Sequence, residues 1–175
     1  MQKTILLSAT LALMTAAAPS LAAGKSSPVL PILERYHVQK GGACGLTVEK
    51  TFQYGGATYV LYSSAGYFAY QSKPSHKHCD GGTGTFTYSL AEIRNRRVVH
   101  DDLFPSNINT RFLDAKSVRL NGSVLTFKNN EFGKDPQTGE ADANCCAADI
   151  YLNQFDLKTR RLIKHEFIGR DKSGN

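Results

Sequence analysis

"SVRLNGSVLTFKN", residues 117–129, decides the fold. Asn121-Gly122 suits a two-residue type I′ turn, which needs positive φ at both central positions. Around that turn, Leu120 is placed opposite Ser123, Val118 opposite Leu125, and Lys116 opposite Phe127. Opposed residues of an antiparallel pair share a face, so Val118, Leu120, Leu125 and Phe127 fall together. Turn chemistry and apolar pattern therefore specify one object, a hairpin with one buried face.

The same pattern extends outward. "LTVEKTFQY" (46–54) begins by alternating, with Leu46 and Val48 on one side. "ATYVLYS" (57–63) and "YFAYQ" (67–71) are short, aromatic and β-branched, and a Ser63–Gly66 turn is expected to join them. In "GTFTYSL" (84–90), Phe86, Tyr88 and Leu90 face one way and Thr85, Thr87 and Ser89 the other. "INTRF" (108–112) reads as a basic strand. "DIYLNQFDL" (149–157) and "RLIKHEFIG" (161–169) form a last hairpin across Lys158–Arg160. Before Cys44, "ILERYHV" permits a short helix bounded by Pro31 and Gly41-Gly42. No long helical period and no internal repeat occur. The expected class is mainly β, an antiparallel β-sandwich or open barrel with a short N-terminal helix.

The N-terminus reads as a signal for export. Lys3 precedes an apolar run too short to span a bilayer, and Ser20–Ala22 places small residues at a cleavage site. The expected organisation is a signal peptide over 1–22, a linker with the possible helix over 23–43, and one β-rich domain over 44–170. A periplasmic or secreted protein with no membrane span follows. Loss of Lys3 takes the formal net charge from +6 to +5. "KTRRLIKH" (158–165) is the one dense basic cluster, and a solvated basic strand accounts for it. An exported cationic surface is expected to meet a protein or a cell-wall component rather than nucleic acid.

Four cysteines, Cys44, Cys79, Cys145 and Cys146, imply two disulfides in an oxidising compartment. Cys44–Cys79 with Cys145–Cys146 is one connectivity, and crossed pairing is the other. Closing the Cys44–Cys79 loop is worth about 4 kcal/mol on the chain-entropy account. "SHKHCDGG" (75–82) sets His76 and His78 on one face of an extended chain, as a copper- or zinc-chelating pair would be. Two imidazoles are fewer ligands than a stable zinc site uses, so a connection held by Cys79 is the plainer reading. "KDPQTGEADANCC" (134–146) carries Asp135, Glu140 and Asp142 but lacks EF-hand spacing and reads as a solvated loop. His100 and Asp101 are adjacent in "VVHDDLF", so on a strand they point apart and do not form a catalytic pair. Tyr54, Tyr62, Tyr67 and Tyr70 are candidates for a tyrosine-rich contact surface.

The second half of the chain carries a resemblance. "GGTGTFTYSLAEI", "SVRLNGSVLTF" and "DANCCAADIYLNQFDL" resemble a pattern in exported bacterial proteins that include lipoproteins of the LppP/LprE type. It covers roughly 81–165 and departs in three places. There is no cysteine for lipidation, Ala147-Ala148 stands where Pro-Ser usually follows the cysteine pair, and "SKPSHKHCD" replaces an acidic segment. The resemblance implies export and a β fold, and it favours Cys145 bonding Cys146. It brings no catalytic residues. The sequence therefore reads as a domain that works by binding, with no cofactor expected. Metal handling through His76 and His78 is the alternative.

Overall fold

The computed structural model describes residues 27–40, 45–65, 86–143 and 145–171. Among these residues, two four-stranded sheets, each antiparallel and each a simple meander, make up the body. The first holds β1 (Thr47–Tyr54), β2 (Ala57–Ser64), β3 (Thr87–Arg94) and β4 (Arg97–His100) in that order. The second holds β5 (Leu113–Asn121), β6 (Val124–Glu131), β7 (Asp149–Asp156) and β8 (Arg161–Arg170). The helix α1 (Leu30–Gln39) precedes them. This is the sandwich expected from the sequence.

Tight turns make the meanders possible. Gly55 and Gly56 sit at φ 56° and 71° between Tyr54 and its opposite residue Ala57. That is the positive-φ pair a two-residue hairpin needs to match the strand twist. Asn95 and Arg96 do the same between Arg94 and Arg97, at φ 48° and 60°.

The central hairpin forms, but its register differs from the expectation. Asn121 lies opposite Val124 and Leu120 opposite Leu125, so the loop is Gly122-Ser123. Only Gly122 of these two has positive φ, as a type II′ turn demands at its first position. The slip is an even number of residues, so the faces survive it. Val118, Leu125 and Phe127 are buried and Leu120 packs beside them. Between Asp114 and Arg119 the β5–β6 register shifts. Carbonyls freed there are taken up by cations. Lys50 Nζ donates to Lys116 O (3.1 Å) and Val118 O (3.0 Å), and Arg119 bonds the same two oxygens. Lys50 thereby ties β1 of one sheet to β5 of the other.

Two further expectations change. Ser63 and Ser64 continue β2 instead of opening a turn, and both edges of β2 are filled, by β1 and by β3. The segment 67–71 itself lies outside the described residues. "INTRF" is not a strand. Its last three residues form a 3-10 turn, Thr110–Phe112, introduced by the Asn109 side chain accepting from Arg111 N.

The middle strands of the first sheet, β2 and β3, are buried on both faces. Ala57, Tyr59, Leu61 and Leu90 face the second sheet, where they meet Val118, Leu125, Phe127 and Phe155. The chain crossing from β4 to β5 adds Phe104 and Ile108, with Phe104 5.1 Å from the Phe127 ring. Val60, Tyr62, Ala91 and Ile93 face the other way and pack on Leu33 of α1. Double burial explains why β2 is apolar at successive positions instead of alternating.

Candidate functional site

The inner face of the second sheet is apolar at one end and becomes polar toward the other. Opposed residues of β6, β7 and β8 lie in rows across it. Leu125, Phe155 and Leu162 form the first row. Phe127, Asn153 and His165 form the next, then Asn129, Tyr151 and Phe167, and finally Glu131, Asp149 and Arg170. The sandwich core fills the first row and ends in the second.

Asn129 and Asn153 are completely buried at this boundary. Burying an amide is costly unless its donors and acceptors are paired, and here they interlock. Asn129 Nδ2 donates to the carbonyl of Asn109 (3.3 Å) and to Glu131 Oε1 (3.0 Å). Asn153 Nδ2 donates to Asn129 Oδ1 (2.7 Å). Asn153 Oδ1 lies 2.8 Å from His165 Nδ1. His165 Nε2 then faces Glu131 Oε2 at 3.8 Å, so four side chains from three strands form a ring that is open at this one contact.

Aromatic rings flank this network. Tyr151 stacks on His165 with centroids 4.4 Å apart and planes 6° from parallel. Phe167 meets Tyr151 edge-on at 5.8 Å and is 54% exposed. His165 and Glu131 keep 29% and 22% of their side-chain surface. The result is a partly open platform of Tyr151, His165, Phe167 and Glu131, held from behind by the asparagine pair. Each buried side-chain polar atom among the described residues has a partner.

The last row has a structural task. Arg170 bonds Asp149 (2.5 Å) and Asp142. Asp142 also accepts from Gly133 N (2.9 Å) and Ala148 N (3.0 Å), which fastens the 134–148 connection to the sheet. The Gly133 N–H bond, with those of Ala148 and Arg170, holds the Asp142 carboxyl below its ordinary range. A Cβ at Gly133 would fall on the Asp149 carboxylate, so a larger residue there would have to displace that group from Arg170. Asp142, offered by the sequence as an oxygen ligand, is thus committed to the fold. Among the described residues no group of three or more histidine, cysteine or acidic side chains is arranged to hold a metal ion.

The residues singled out in the sequence are distributed differently. Cys145 and Cys146 bond each other, which removes crossed pairing, and both are exposed in the loop before β7. Cys44, Cys79, His76, His78, Tyr67 and Tyr70 lie outside the described residues. Tyr62 is not a contact residue. It is 3% exposed, and its hydroxyl donates to Asp101 O (2.9 Å) and meets His37 Nε2 (3.2 Å). Packing against α1 from the outer face of β2 explains the correction. Tyr54 is half-buried against the core, with its ring 6.5 Å from Tyr59.

Sequence reasoning missed the platform, although a signal was present. Along β6 the period-2 face runs Leu125, Phe127, Asn129, Glu131, and along β7 it runs Phe155, Asn153, Tyr151, Asp149. An apolar face that turns to asparagine in two neighbouring strands marks the place where a core ends in a polar network. Compared with protein-family models, curated proteins and solved structures, the chain matches none.

Proposed function

We propose that this protein acts by binding, as an exported domain of the periplasm or external medium, and that its contact surface is the Tyr151–His165–Phe167–Glu131 platform. The supporting observation is the combination of an exposed phenylalanine with polar groups fixed by buried asparagines. Aromatic side chains carry much of the energy of interfaces, and preorganised polar groups lose little entropy on docking. The Nδ1 side of His165 is taken up by Asn153. That leaves His165 placed for recognition, with no hydroxyl or thiol nucleophile bonded to it among the described residues. The partner is a protein or a cell-wall component.

The test compares capture from envelope extract by the native mature protein and by Phe167→Ser. Phe167 is exposed, so the substitution is expected to leave the circular dichroism spectrum and Tm unchanged while abolishing capture. Equal capture by both proteins moves the contact surface elsewhere. Capture that vanishes only on adding a chelator supports the metal reading instead.

A further inference from the structure

The hydrogen bonds behind the platform have a fixed direction, and the direction identifies a ligand chemistry. The Asn109 carbonyl can only accept, so the Asn129 atom beside it is the amide nitrogen. Asn129 Oδ1 then faces Asn153 and must receive a proton from Nδ2. Asn153 Oδ1 in turn faces His165 and must receive one from Nδ1. In its neutral form His165 is therefore the Nδ1–H tautomer, and Nε2 carries a lone pair. That lone pair and Glu131 Oε2 are 3.8 Å apart. Two acceptors converge with no donor between them.

With His165 neutral, no other group described on the sheet supplies that donor. Arg170, the cation nearest by register, is held by Asp149 and Asp142, and Lys164 pairs with Glu166 at 2.6 Å. No lysine or arginine among the described residues bonds Glu131. The wall beside the two acceptors is aromatic, made by Tyr151 and Phe167. An ammonium ion has three donors and a positive charge, and aromatic faces attract cations and cover methylene stems. We infer that the platform receives a primary ammonium group on an apolar stem, a lysine side chain of a partner protein. The ammonium bridges His165 Nε2 and Glu131 Oε2, and its stem lies along Phe167 and Tyr151. The inference rests on the binding function proposed above and names the group bound.

The experiment is an NMR titration of the mature protein with Nα-acetyl-lysine methylamide, its Nε-trimethyl form, and glucosamine. An isolated side chain is expected to bind on the order of millimolar, since so few atoms make contact. The lysine amide should shift the His165 and Tyr151 ring signals. The trimethyl form keeps the charge but has no N–H, and should bind at least about tenfold more weakly. Glucosamine should not bind. Glu131→Gln keeps an oxygen for Asn129 but turns a donor toward Nε2, so it should abolish the lysine response without altering the fold. Separately, a long-range proton–nitrogen spectrum of neutral His165 should show the proton on Nδ1. A proton on Nε2 overturns the inference, as do equal binding of the trimethyl form, binding of glucosamine alone, or no response to any of the three. Should amine binding fail while Phe167→Ser still abolishes partner capture, the binding function stands and the ammonium assignment falls.

Discussion

His37 shows how one position couples burial to pH. It lies on α1, is buried against the first sheet, and meets the Tyr62 hydroxyl. That hydroxyl spends its proton on Asp101 O, so His37 Nε2 must donate. Burial lowers the pKa of the imidazole from its ordinary 6.5, and the nearby Asp101 charge opposes this only in part. The sign follows from linkage. A histidine with a lowered folded pKa binds more protons when unfolded, so acid favours unfolding. Its contribution is complete above about pH 6.5 and is lost as pH falls toward the folded value. Lowered carboxyls such as Asp135 and Asp142 act in a separate window, below about 3.8. Urea midpoints measured from pH 7.5 to 4.5 are expected to fall for the native protein, and more shallowly for His37→Phe. Parallel curves for the two proteins would remove His37 as the source.

At the scale of the element, the β5–β6 hairpin joins turn to core. Val118 and Leu125 come from opposite strands and are both shut away from solvent. Val118→Asp places a carboxylate among Leu125, Phe127 and Phe155, and the cations beside this position, Lys50 and Arg119, are already engaged by the Lys116 and Val118 carbonyls. A charge buried without a partner costs several kcal/mol, a large part of a domain's whole stability. The variant is expected to lose its near-ultraviolet circular dichroism and cooperative melting at 25 °C. A native-like melt would mean that Val118 does not face the core. The wrong register and the right face are both instructive here. Asn121-Gly122 and Gly122-Ser123 are each acceptable hairpin loops, so turn chemistry alone does not choose between them. Burial choice is binary along a strand, and either loop gives the same answer.

Across the whole molecule the two sheets are joined by charge as well as by apolar contact. Glu92 of β3 is 1% exposed and faces the second sheet. Arg94 Nε bonds one of its oxygens at 2.6 Å, and Arg160, from the β7–β8 turn, bonds the other at 2.9 Å. Arg160 reaches it from a left-handed backbone position, φ 55°. Removing both arginines leaves a buried carboxylate unpaired, at a cost of about 3–5 kcal/mol. Arg94→Ala/Arg160→Ala is expected to lower the unfolding free energy obtained from urea melts by that amount. Adding Glu92→Leu to the pair should recover most of it, since the buried charge is then gone. Failure of the third substitution to rescue would show that Glu92 is not the group those arginines stabilise.

Residue order alone determined the β class, the short helix and the buried face of the central hairpin. These depend on periods of two, on turn residues and on proline and glycine, all of which act between neighbours in the chain. Tertiary structure decided the rest. Whether Tyr62 meets solvent depends on a helix more than twenty residues away packing over β2. Whether 57–63 pairs with 87–94 or with the nearer aromatic segment depends on competition for one sheet edge. Asn129 and Glu131 are two apart on one strand, but Asn153 and His165 come from two others, and no spacing in the sequence relates the three strands. Their chain of hydrogen bonds exists only once β6, β7 and β8 are in register, because a side-chain bond depends on distance in space and not on separation along the chain.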